Sequence, residues 1–258
     1  MNVDPLIEQY VHARGLSRRD ALQTFMQVVV LRHLTLSGTR LIGGTALVLG
    51  YNNPRFSEDI DLTQVPDLRL LAPGLRKAAS ELEKWFGKKL LVTPPSPKGR
   101  TWQISCHFTR AETVRLHIDS QPQPAYTVSP IVIEFPSLPP LVCESVSFKE
   151  IMADKVIAVA CRNYLGGRDL FDLWFHWLRR SNWQDDIPEI SNYVRKKRED
   201  RRLDELGFTI RLTRRLKEDH SLMRAQAEWK RYLPLSFQTR EVQDAMLSAC
   251  QRLPEIFL

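Results

Sequence analysis

Two aspartates, Asp59 and Asp61, stand one residue apart in a stretch where apolar and acidic residues alternate. This alternation is the period of a β-strand, so the two carboxylates are predicted to share one face. Carboxylates side by side repel each other, and a cation between them relieves the repulsion; oxygen ligands at this spacing suit Mg²⁺. Upstream, Gly43 and Gly44 precede a short helix, where glycine lets backbone N–H groups approach a phosphate. The segment therefore predicts a metal–nucleotide site.

The same segment resembles the first motif of the DNA polymerase β-like nucleotidyltransferases, in the form found in the AbiEii/MenT-type toxin family. That form reads Gly-Gly-Thr-Ala-Leu and then Arg-x-Ser-x-Asp-x-Asp, and the matching residues here are Gly43, Gly44, Thr45, Ala46, Leu47, Arg55, Ser57, Asp59 and Asp61. The resemblance implies that Asp59 and Asp61 bind Mg²⁺ and act in catalysis. It also implies contacts to the nucleotide or its phosphates from Gly43, Gly44, Thr45, Arg55 and Ser57. The alternative is a hairpin with an exposed acidic edge.

A third carboxylate is expected on a neighbouring strand. A β-hairpin is predicted over residues 102–119, and on its second strand His117 and Asp119 share one face. Polymerase β-type nucleotidyltransferases use a carboxylate at the end of a strand beside the Asp-x-Asp strand, which implies a metal-binding role for Asp119. Two alternatives stay open. Asp119 is also a strand-end residue of the kind that starts a turn, and Glu134 in the next predicted strand competes for the role.

The family resemblance continues downstream. Ser147 and Glu150 have the spacing of a capping box that opens a helix over residues 151–164, and Arg168 opens a second helix. The downstream motif of the family reads Asp/Glu-Lys, then Arg, then Arg-Asp-x-x-Asp-Leu. The matching residues are Asp154, Lys155, Arg162, Arg168, Asp169, Asp172 and Leu173.

This second motif implies further roles at the site. Lys155 is expected to neutralise the triphosphate as a point charge, and Asp169 to lie near the nucleotide or set the geometry of the site; both are predicted to be catalytic. Arg162 and Arg168 are predicted to contact nucleotide phosphates. Judged alone, Lys155 is typical of a solvated helix residue and Asp169 of an N-cap. Their occurrence together after the first motif favours function.

The length and composition of the chain limit the classes of protein to which it can belong. The chain has 258 residues and 43% hydrophobic composition, enough for one large or two small domains. The four cysteines are scattered and the six histidines show no ligand pattern, so ordinary thiols in a reduced compartment are expected. The sequence shows neither a membrane-spanning stretch nor a signal peptide. We therefore expect a cytoplasmic protein without a membrane partner.

A proline-rich segment at residues 136–140 separates a mixed α/β pattern from an almost wholly helical one. Three parts are predicted: N-terminal helices over 1–37, ending at Ser37-Gly38, a nucleotidyltransferase core over 38–140, and a helical C-terminal domain over 141–258. The expected fold class is α/β (α+β), a polymerase β-like nucleotidyltransferase core with a mixed sheet followed by a helical C-terminal part.

Charge is concentrated near the C-terminus, where residues 187–202 and 205–231 are each predicted to form a basic helix. The net charge is +7, and between residues 195 and 231 we count 13 Lys and Arg against 7 Asp and Glu, an excess of +6. Such an excess attracts a phosphate backbone or forms a solvated face of salt bridges, and the sequence leaves both open. The predicted nucleic-acid contacts are Arg195, Lys196, Lys197, Arg198, Arg214 and Arg215.

These observations predict a toxin-like nucleotidyltransferase. It would transfer a nucleoside monophosphate from an NTP to an RNA acceptor, with Mg²⁺ as cofactor and the tRNA 3′ end as target, and so block translation. The family also implies a cognate antitoxin as protein partner. Two alternatives remain: the same chemistry on a protein or small-molecule acceptor, and an inactive nucleotide-binding module.

Overall fold

The computed structural model describes residues 3–34, 40–63, 65, 67–96, 98–110, 112–121 and 124–257. The chain forms two compact units. Unit 1 comprises Met1–Asn52 and Phe56–Val146, and unit 2 comprises Asn53–Arg55 and Ser147–Leu258. The three-part division expected from the sequence stays a prediction, and the helix end expected at Ser37-Gly38 lies outside the described residues.

Unit 1 combines helices with one sheet. Its described helices are α1 (Asp4–Arg14), α2 (Arg18–Leu34), α3 (Gly43–Gly50) and α4 (Ala72–Phe86), with a 3-10 turn at Leu68–Leu71. Its described strands are β1 (Arg40–Ile42), β2 (Ile60–Thr63), β3 (Leu90–Thr93), β4 (Thr101–His107), β5 (Thr113–Gln121), β6 (Val128–Ile133) and β7 (Leu141–Val146).

The strands form a mixed sheet in the order β3-β4-β5-β2-β1-β7-β6. Strand β2 runs parallel to β5 and β1 runs parallel to β7, while the other neighbours are antiparallel. This sheet confirms the expected α/β (α+β) class. Strand β7 corrects the expectation that the chain is almost wholly helical after residue 140. Leu141 and Cys143 are buried while Val142 and Glu144 are exposed, which is the alternation of a strand covered on one face.

Helix α2 supports the backbone that leads into β2. The middle of the helix is buried on every side, as expected for a helix inside a core. Its two buried glutamines reach the loop before β2: Gln23 Nε2 donates to the carbonyl of Glu58 over 2.6 Å, and Gln27 Nε2 donates to the carbonyl of Ser57 over 2.9 Å. These bonds fix the segment that carries Asp59.

Unit 2 confirms the predicted helical C-terminal part. Its described helices are α5 (Phe148–Cys161), α6 (Gly167–Leu173), α7 (Ile187–Asp200), α8 (Glu205–Lys217), α9 (Asp219–Tyr232), α10 (Arg240–Cys250) and α11 (Leu253–Ile256). A π-helical turn at Trp174–Leu178 and 3-10 turns at Trp183–Asp186 and Leu235–Phe237 complete the unit. Within the described ranges, no helix has the length and apolar character needed to cross a membrane.

Two local expectations for unit 2 are wrong. Ser147 is the N-cap of α5, but its side chain makes no capping hydrogen bond. The Glu150 carboxylate instead accepts a hydrogen bond from Lys197, so the capping box is not formed. The single helix expected over 205–231 is interrupted at Glu218, whose extended backbone separates α8 from α9.

A close contact fixes the start of α6. Trp229 of α9 is fully buried, and its indole N–H donates to the carbonyl of Gly167 over 2.8 Å. A Cβ at Gly167 would lie 2.2 Å from the carbonyl oxygen of Ala225, so only glycine permits this approach. The contact holds α6 against α9, and α6 carries Asp169 and Asp172.

Candidate active site

Three aspartates of unit 1 meet on neighbouring strands. Strands β2 and β5 are parallel and in register, and the Cα atoms of Asp61 and Asp119 are direct partners. Asp59 comes immediately before β2, two residues from Asp61, so all three carboxylates belong to one face of the sheet. Glu134 follows β6 at the sheet edge, with β7 and β1 between β6 and β2. The topology therefore favours Asp119 over Glu134 as the third carboxylate.

Each of these carboxylates is held by a side chain from the β4–β5 hairpin. His117 Nδ1 lies 3.2 Å from Asp59 Oδ1, and Gln121 Nε2 donates to Asp61 Oδ1 over 3.4 Å. The hydroxyl of Thr101 donates to Asp119 Oδ1.

The charge at this face favours an added cation. Burial raises the pKa of Asp59 above its ordinary value; His117 opposes the shift, whereas the negative charges of Glu58 and Asp119 add to it. A raised pKa means that the ionised carboxylate is disfavoured by its surroundings. A positive charge placed between the carboxylates would remove that penalty.

The glycine turn lies directly beside these carboxylates. Gly43 begins α3 with a φ of +71°, a backbone conformation that suits glycine. A Cβ at this position would lie 3.0 Å from Asp61 Oδ2. The absence of a side chain at Gly43 therefore lets the backbone at the start of α3 approach the Asp61 carboxylate closely.

Thr45 and Ser57 join α3 to the loop before β2. Both side chains are buried. The Thr45 hydroxyl lies 2.9 Å from the Ser57 hydroxyl and also contacts the carbonyl oxygen of Asp59. These contacts fix the backbone that positions the first metal-binding candidate.

The donor set of unit 1 fits Mg²⁺ bound together with a nucleotide. Mg²⁺ in such sites takes one or two carboxylates and completes its coordination with water and substrate phosphates. Asp59 and Asp61 supply that number of carboxylate ligands. Among the residues that the structure describes, no group of three or more His, Cys, Asp or Glu side chains is arranged to hold a metal ion by itself.

Unit 2 contains a buried cluster of opposite charges. Arg55 Nε and Nη2 donate to the two oxygens of Asp172 over 2.6 and 2.8 Å, and Asn53 Nδ2 donates to Asp172 Oδ1 over 2.7 Å. Lys155 Nζ lies 2.8 Å from oxygens of both Asp172 and Asp169. The side chains of Arg55 and Asp172 are 1% and 0% exposed, so this pairing is shielded from water.

The surrounding cations hold these aspartates in the ionised form. Burial acts to raise the pKa of Asp172, but the charges of Arg55 and Lys155 outweigh it and keep the pKa well below its ordinary value. For Asp169, burial is likewise outweighed by Lys155 and Arg162, and the pKa is lowered. Arg162 Nη1 lies 2.7 Å from Asp169 Oδ2, and 46% of the Arg162 side chain is exposed.

A family model described as "Nucleotidyl transferase AbiEii toxin, Type IV TA system" matches residues 33–248. The chain belongs to this family. The match confirms the resemblance read from the two motifs, and it establishes a toxin nucleotidyltransferase, with an NTP as substrate and a cognate antitoxin as partner.

Solved structures of similar fold include two bacterial proteins. MenT4, a nucleotidyltransferase toxin from Mycobacterium tuberculosis, matches with a TM-score of 0.62 at 18% identity, covering 98% of this chain and 96% of MenT4. JHP933 from Helicobacter pylori matches with a TM-score of 0.53 at 18% identity, covering 94% of this chain and 93% of JHP933. At this identity the two matches show the fold. No curated protein sequence is a significant match to the chain.

Within this AbiEii member, two predicted phosphate ligands are engaged elsewhere. Arg55 is buried against Asp172, as described above. Arg168 Nε lies 3.5 Å from a carboxylate oxygen of Glu228, and its guanidinium stacks over the ring of Tyr232, 4.4 Å from the centroid. Phosphate binding by Arg55 and Arg168 stays a prediction, and these contacts instead favour roles in holding unit 2 together.

The predicted nucleic-acid contacts divide into buried and exposed residues. Lys197 is 5% exposed and pairs with Glu150 and Asp154 at 2.9 and 3.0 Å, so it is part of the α5–α7 packing. Arg215 Nη2 donates to backbone carbonyls just past the end of α5, at Arg162 and Asn163.

The four remaining candidates differ in exposure. The Arg198 side chain is 12% exposed and pairs with Glu205. Arg195 and Arg214 are more than half exposed, although each pairs with a glutamate one helical turn further on. Lys196 is partly exposed and approaches the ring of Tyr193. Arg195, Lys196 and Arg214 are thus the candidates whose charge an external phosphate can reach most directly.

Sequence reasoning missed the residues that hold the carboxylates. Thr101, Gln121 and Asn53 received no role, and His117 was noted only as sharing a face with Asp119. A signal was present for two of them, because His117 and Gln121 lie two residues either side of Asp119 and alternate onto the same face of β5. Thr101 and Asn53 contact residues far away in the chain, so no local pattern identifies them.

Proposed function

We propose that this AbiEii-family protein transfers a nucleoside monophosphate from an NTP to the 3′ end of tRNA and thereby blocks translation. The observation that carries the proposal is the group of Asp59, Asp61 and Asp119 on two in-register strands, beside the glycine turn at Gly43. Family membership supplies the reaction class, and the geometry of unit 1 supports the place where the triphosphate binds.

Asp59 and Asp61 are the proposed metal ligands, and Asp119 is the third carboxylate. Mg²⁺, when bound there, supplies charge neutralisation for the triphosphate and polarises its α-phosphate. The backbone N–H groups of Gly43 and Gly44 are proposed to contact phosphate oxygens at the start of α3. Thr45 and Ser57 are proposed to act mainly through the backbone of Asp59, because both hydroxyls are buried between α3 and the loop.

The proposed reaction breaks the phosphoanhydride bond between the α- and β-phosphates of the NTP and forms a phosphodiester bond to the acceptor. The acceptor hydroxyl oxygen forms a bond to the α-phosphorus while the bond to the bridging oxygen of the β-phosphate breaks, and pyrophosphate leaves. The hydroxyl proton passes to one aspartate of the unit 1 group, acting as general base. Most of the rate enhancement then comes from positioning and charge neutralisation, as in other phosphoryl-type transfers.

In unit 2, Lys155 and Asp169 are the proposed catalytic residues and Arg162 a proposed phosphate contact. Lys155 is held between two aspartates, which fixes the position of its ammonium group. Arg162 is the most exposed cation of this cluster, so its guanidinium can meet a phosphate without leaving Asp169. Arg55 and Asp172 are proposed to hold the cluster together.

The tRNA acceptor is supported by charge. The excess of basic residues between 195 and 231 lies in unit 2, and Arg195, Lys196 and Arg214 keep exposed surface there. A positively charged surface attracts the phosphate backbone without reading its sequence. Specificity for the 3′ end would then come from the geometry of transfer at the carboxylates.

Labelled nucleotide decides the reaction and its acceptor. The full chain is incubated with Mg²⁺, total tRNA and each α-labelled NTP in turn, beside the Asp59→Ala variant. We expect label at the tRNA 3′ end with the wild-type chain only. Label on protein would show that the acceptor is a protein and not tRNA. Nucleotide binding without any transfer of label would contradict the proposed enzymatic activity.

A pair of variants tests which acid is the third carboxylate. Asp119→Asn is expected to lower the transfer of label strongly, because it removes one charge of the group. Glu134→Gln is the matched control on the far strand of the sheet and should transfer at the wild-type rate. A strong loss in Glu134→Gln with normal transfer in Asp119→Asn would reverse the assignment.

A further inference from the structure

Side chains of the β4–β5 hairpin hold all three aspartates of the candidate site in unit 1 through the same carboxylate atom. Strands β4 and β5 supply a hydrogen bond to the Oδ1 atom of each of Asp59, Asp61 and Asp119. The register of the parallel strands β2 and β5 explains why His117 reaches Asp59. Ile60 is the Cα partner of Ile118, so the residues that precede them, Asp59 and His117, also lie side by side.

Both ring nitrogens of His117 have a side-chain partner. Its Cα partner on β4 is Gln103, and its Nε2 atom lies 3.3 Å from Gln103 Oε1 while its Nδ1 atom lies 3.2 Å from Asp59 Oδ1. The imidazole on β5 therefore lies between Gln103 of β4 and Asp59, the residue that precedes β2. An ionised carboxylate can only accept a hydrogen bond, so His117 must donate to Asp59 through Nδ1.

The contact contributes little to folding. The side chains of His117 and Asp59 are 42% and 35% exposed, and pairs with this exposure are typically worth about 0–1 kcal/mol. A carboxylate that ligates a metal, in contrast, depends on the hydrogen bonds that orient it, and loss of such a bond typically weakens metal binding by about 10–100-fold. The bond from His117 would therefore matter for the orientation of the Asp59 carboxylate more than for folding.

We infer that His117 is a positioning residue, which fixes the carboxylate of Asp59 so that it presents an oxygen to a divalent cation. The inference rests on the proposed function, because it takes Asp59 as a metal ligand. His117 acts through Asp59 and needs no contact with nucleotide or acceptor. Gln103 supports the imidazole from the opposite side.

Binding of Mn²⁺ to the full chain, followed by electron paramagnetic resonance, tests the inference without an acceptor. His117→Phe is expected to weaken Mn²⁺ binding by about tenfold or more. His117→Asn should recover most of the lost affinity, because its amide N–H stands close to the place of Nδ1. His107→Phe is the matched control, since His107 lies on the same hairpin and contacts Thr113 instead. Thermal unfolding without metal should be alike in all four proteins.

The outcomes separate the inference from the proposed function. Wild-type binding that Asp59→Asn abolishes and His117→Phe leaves unchanged would overturn the role of His117 alone. Binding lost equally in His117→Phe and His117→Asn, with a lowered unfolding temperature in both, would show a structural role and overturn the inference. Absence of binding in the wild type, or binding that Asp59→Asn does not affect, would overturn the metal site and the inference together.

Discussion

The aspartates of the two units stand in opposite electrostatic surroundings. In unit 1, Asp59 shares a sheet face with two further carboxylates, and its pKa is raised, mainly by burial and in addition by the negative charges of Glu58 and Asp119. In unit 2, Asp169 and Asp172 are enclosed, each contacts two cationic side chains, and the pKa of both is lowered. Asp59 is thus held by one partly exposed imidazole, whereas Asp169 and Asp172 are each neutralised by two cationic side chains.

This difference in surroundings indicates which aspartates would gain from a bound metal ion and which stabilise the fold. Carboxylates that gather on one face repel one another, so an added cation stabilises them. Carboxylates already matched with arginine and lysine gain little from a metal ion, and removal of either partner leaves a buried charge without compensation. The contrast supports the proposal that unit 1 binds the metal ion and that the unit 2 aspartates hold Lys155 in place.

The largest expected effect is on the stability of unit 2. Asp172→Asn removes the charge that faces Arg55 and Lys155, and breaking such a buried pair costs about 3–5 kcal/mol of unfolding free energy. Urea unfolding measures the loss. Asp244→Asn, which removes an exposed ion pair with Arg240 on α10, is the control and should leave the midpoint nearly unchanged. Equal unfolding midpoints for the two variants would contradict a stabilising role of the buried charge cluster in unit 2.

The next effect is a pH dependence carried by His176. Burial lowers the pKa of His176 from 6.5 to about 4; Asp172 opposes the shift, whereas Arg55, Arg179 and Lys155 add to it. The folded chain therefore resists a proton that the unfolded chain accepts. Stability contributed by neutral His176 is full above pH 6.5 and is lost as pH falls towards 4, by up to about 3 kcal/mol.

The control for this pH dependence is His176→Phe. Its urea-derived stability should fall less steeply between pH 6.5 and 4 than that of the wild-type chain, because the variant has no imidazole to protonate. Equal slopes would show that groups other than His176 carry the pH dependence.

A smaller effect is expected at the glycine turn of unit 1. Gly43 and Gly87 both have positive φ values, of +71° and +60°, but only Gly43 faces a carboxylate. Alanine at either position should cost about 1–2 kcal/mol of backbone strain. Only Gly43→Ala should also weaken Mn²⁺ binding, because its methyl group would push against Asp61. Weakened binding in Gly87→Ala as well would trace the effect to general strain.

The smallest effect concerns the exposed basic residues of unit 2. Replacement of Arg195, Lys196 and Arg214 by glutamine should lower tRNA affinity at low salt. It should also reduce the salt dependence of binding, by about 0.7–0.9 in logarithmic slope for each RNA phosphate that the variant no longer neutralises. Lys89→Gln, a 94% exposed lysine of unit 1, serves as control. A binding curve that the triple replacement leaves unchanged would remove these residues from the RNA-binding surface.

The sequence predicted what depends on local pattern. The alternation around Asp61 predicted strand β2, the glycine pair predicted the start of α3, and the downstream motif predicted the adjacent helices that carry Lys155 and Asp169. Strand β7 was missed although its alternation is present, because the proline-rich segment before it resembled a domain boundary. Lys197 looked like a surface cation, since only the packing of α5 on α7 shows that Glu150 and Asp154 enclose it.

Partners far apart in the chain lay beyond sequence reasoning. Arg55 and Asp172 are 117 residues apart, and nothing in either motif shows that they pair. The bond from His117 to Asp59 spans 58 residues and depends on the register of β2 and β5. A one-residue shift of that register would turn His117 to the other face. Pairing of strands therefore decides which polar residues serve the site.

In the proposed function, the unit 1 carboxylates do the chemistry and contribute little to folding. The most direct test is transfer from α-labelled NTP by Asp61→Asn, with urea unfolding of the same preparation. We predict that transfer falls by at least about 100-fold, while the unfolding midpoint stays the same or rises because one repulsive charge is gone. A folded Asp61→Asn variant that transfers label at close to the wild-type rate would contradict the account.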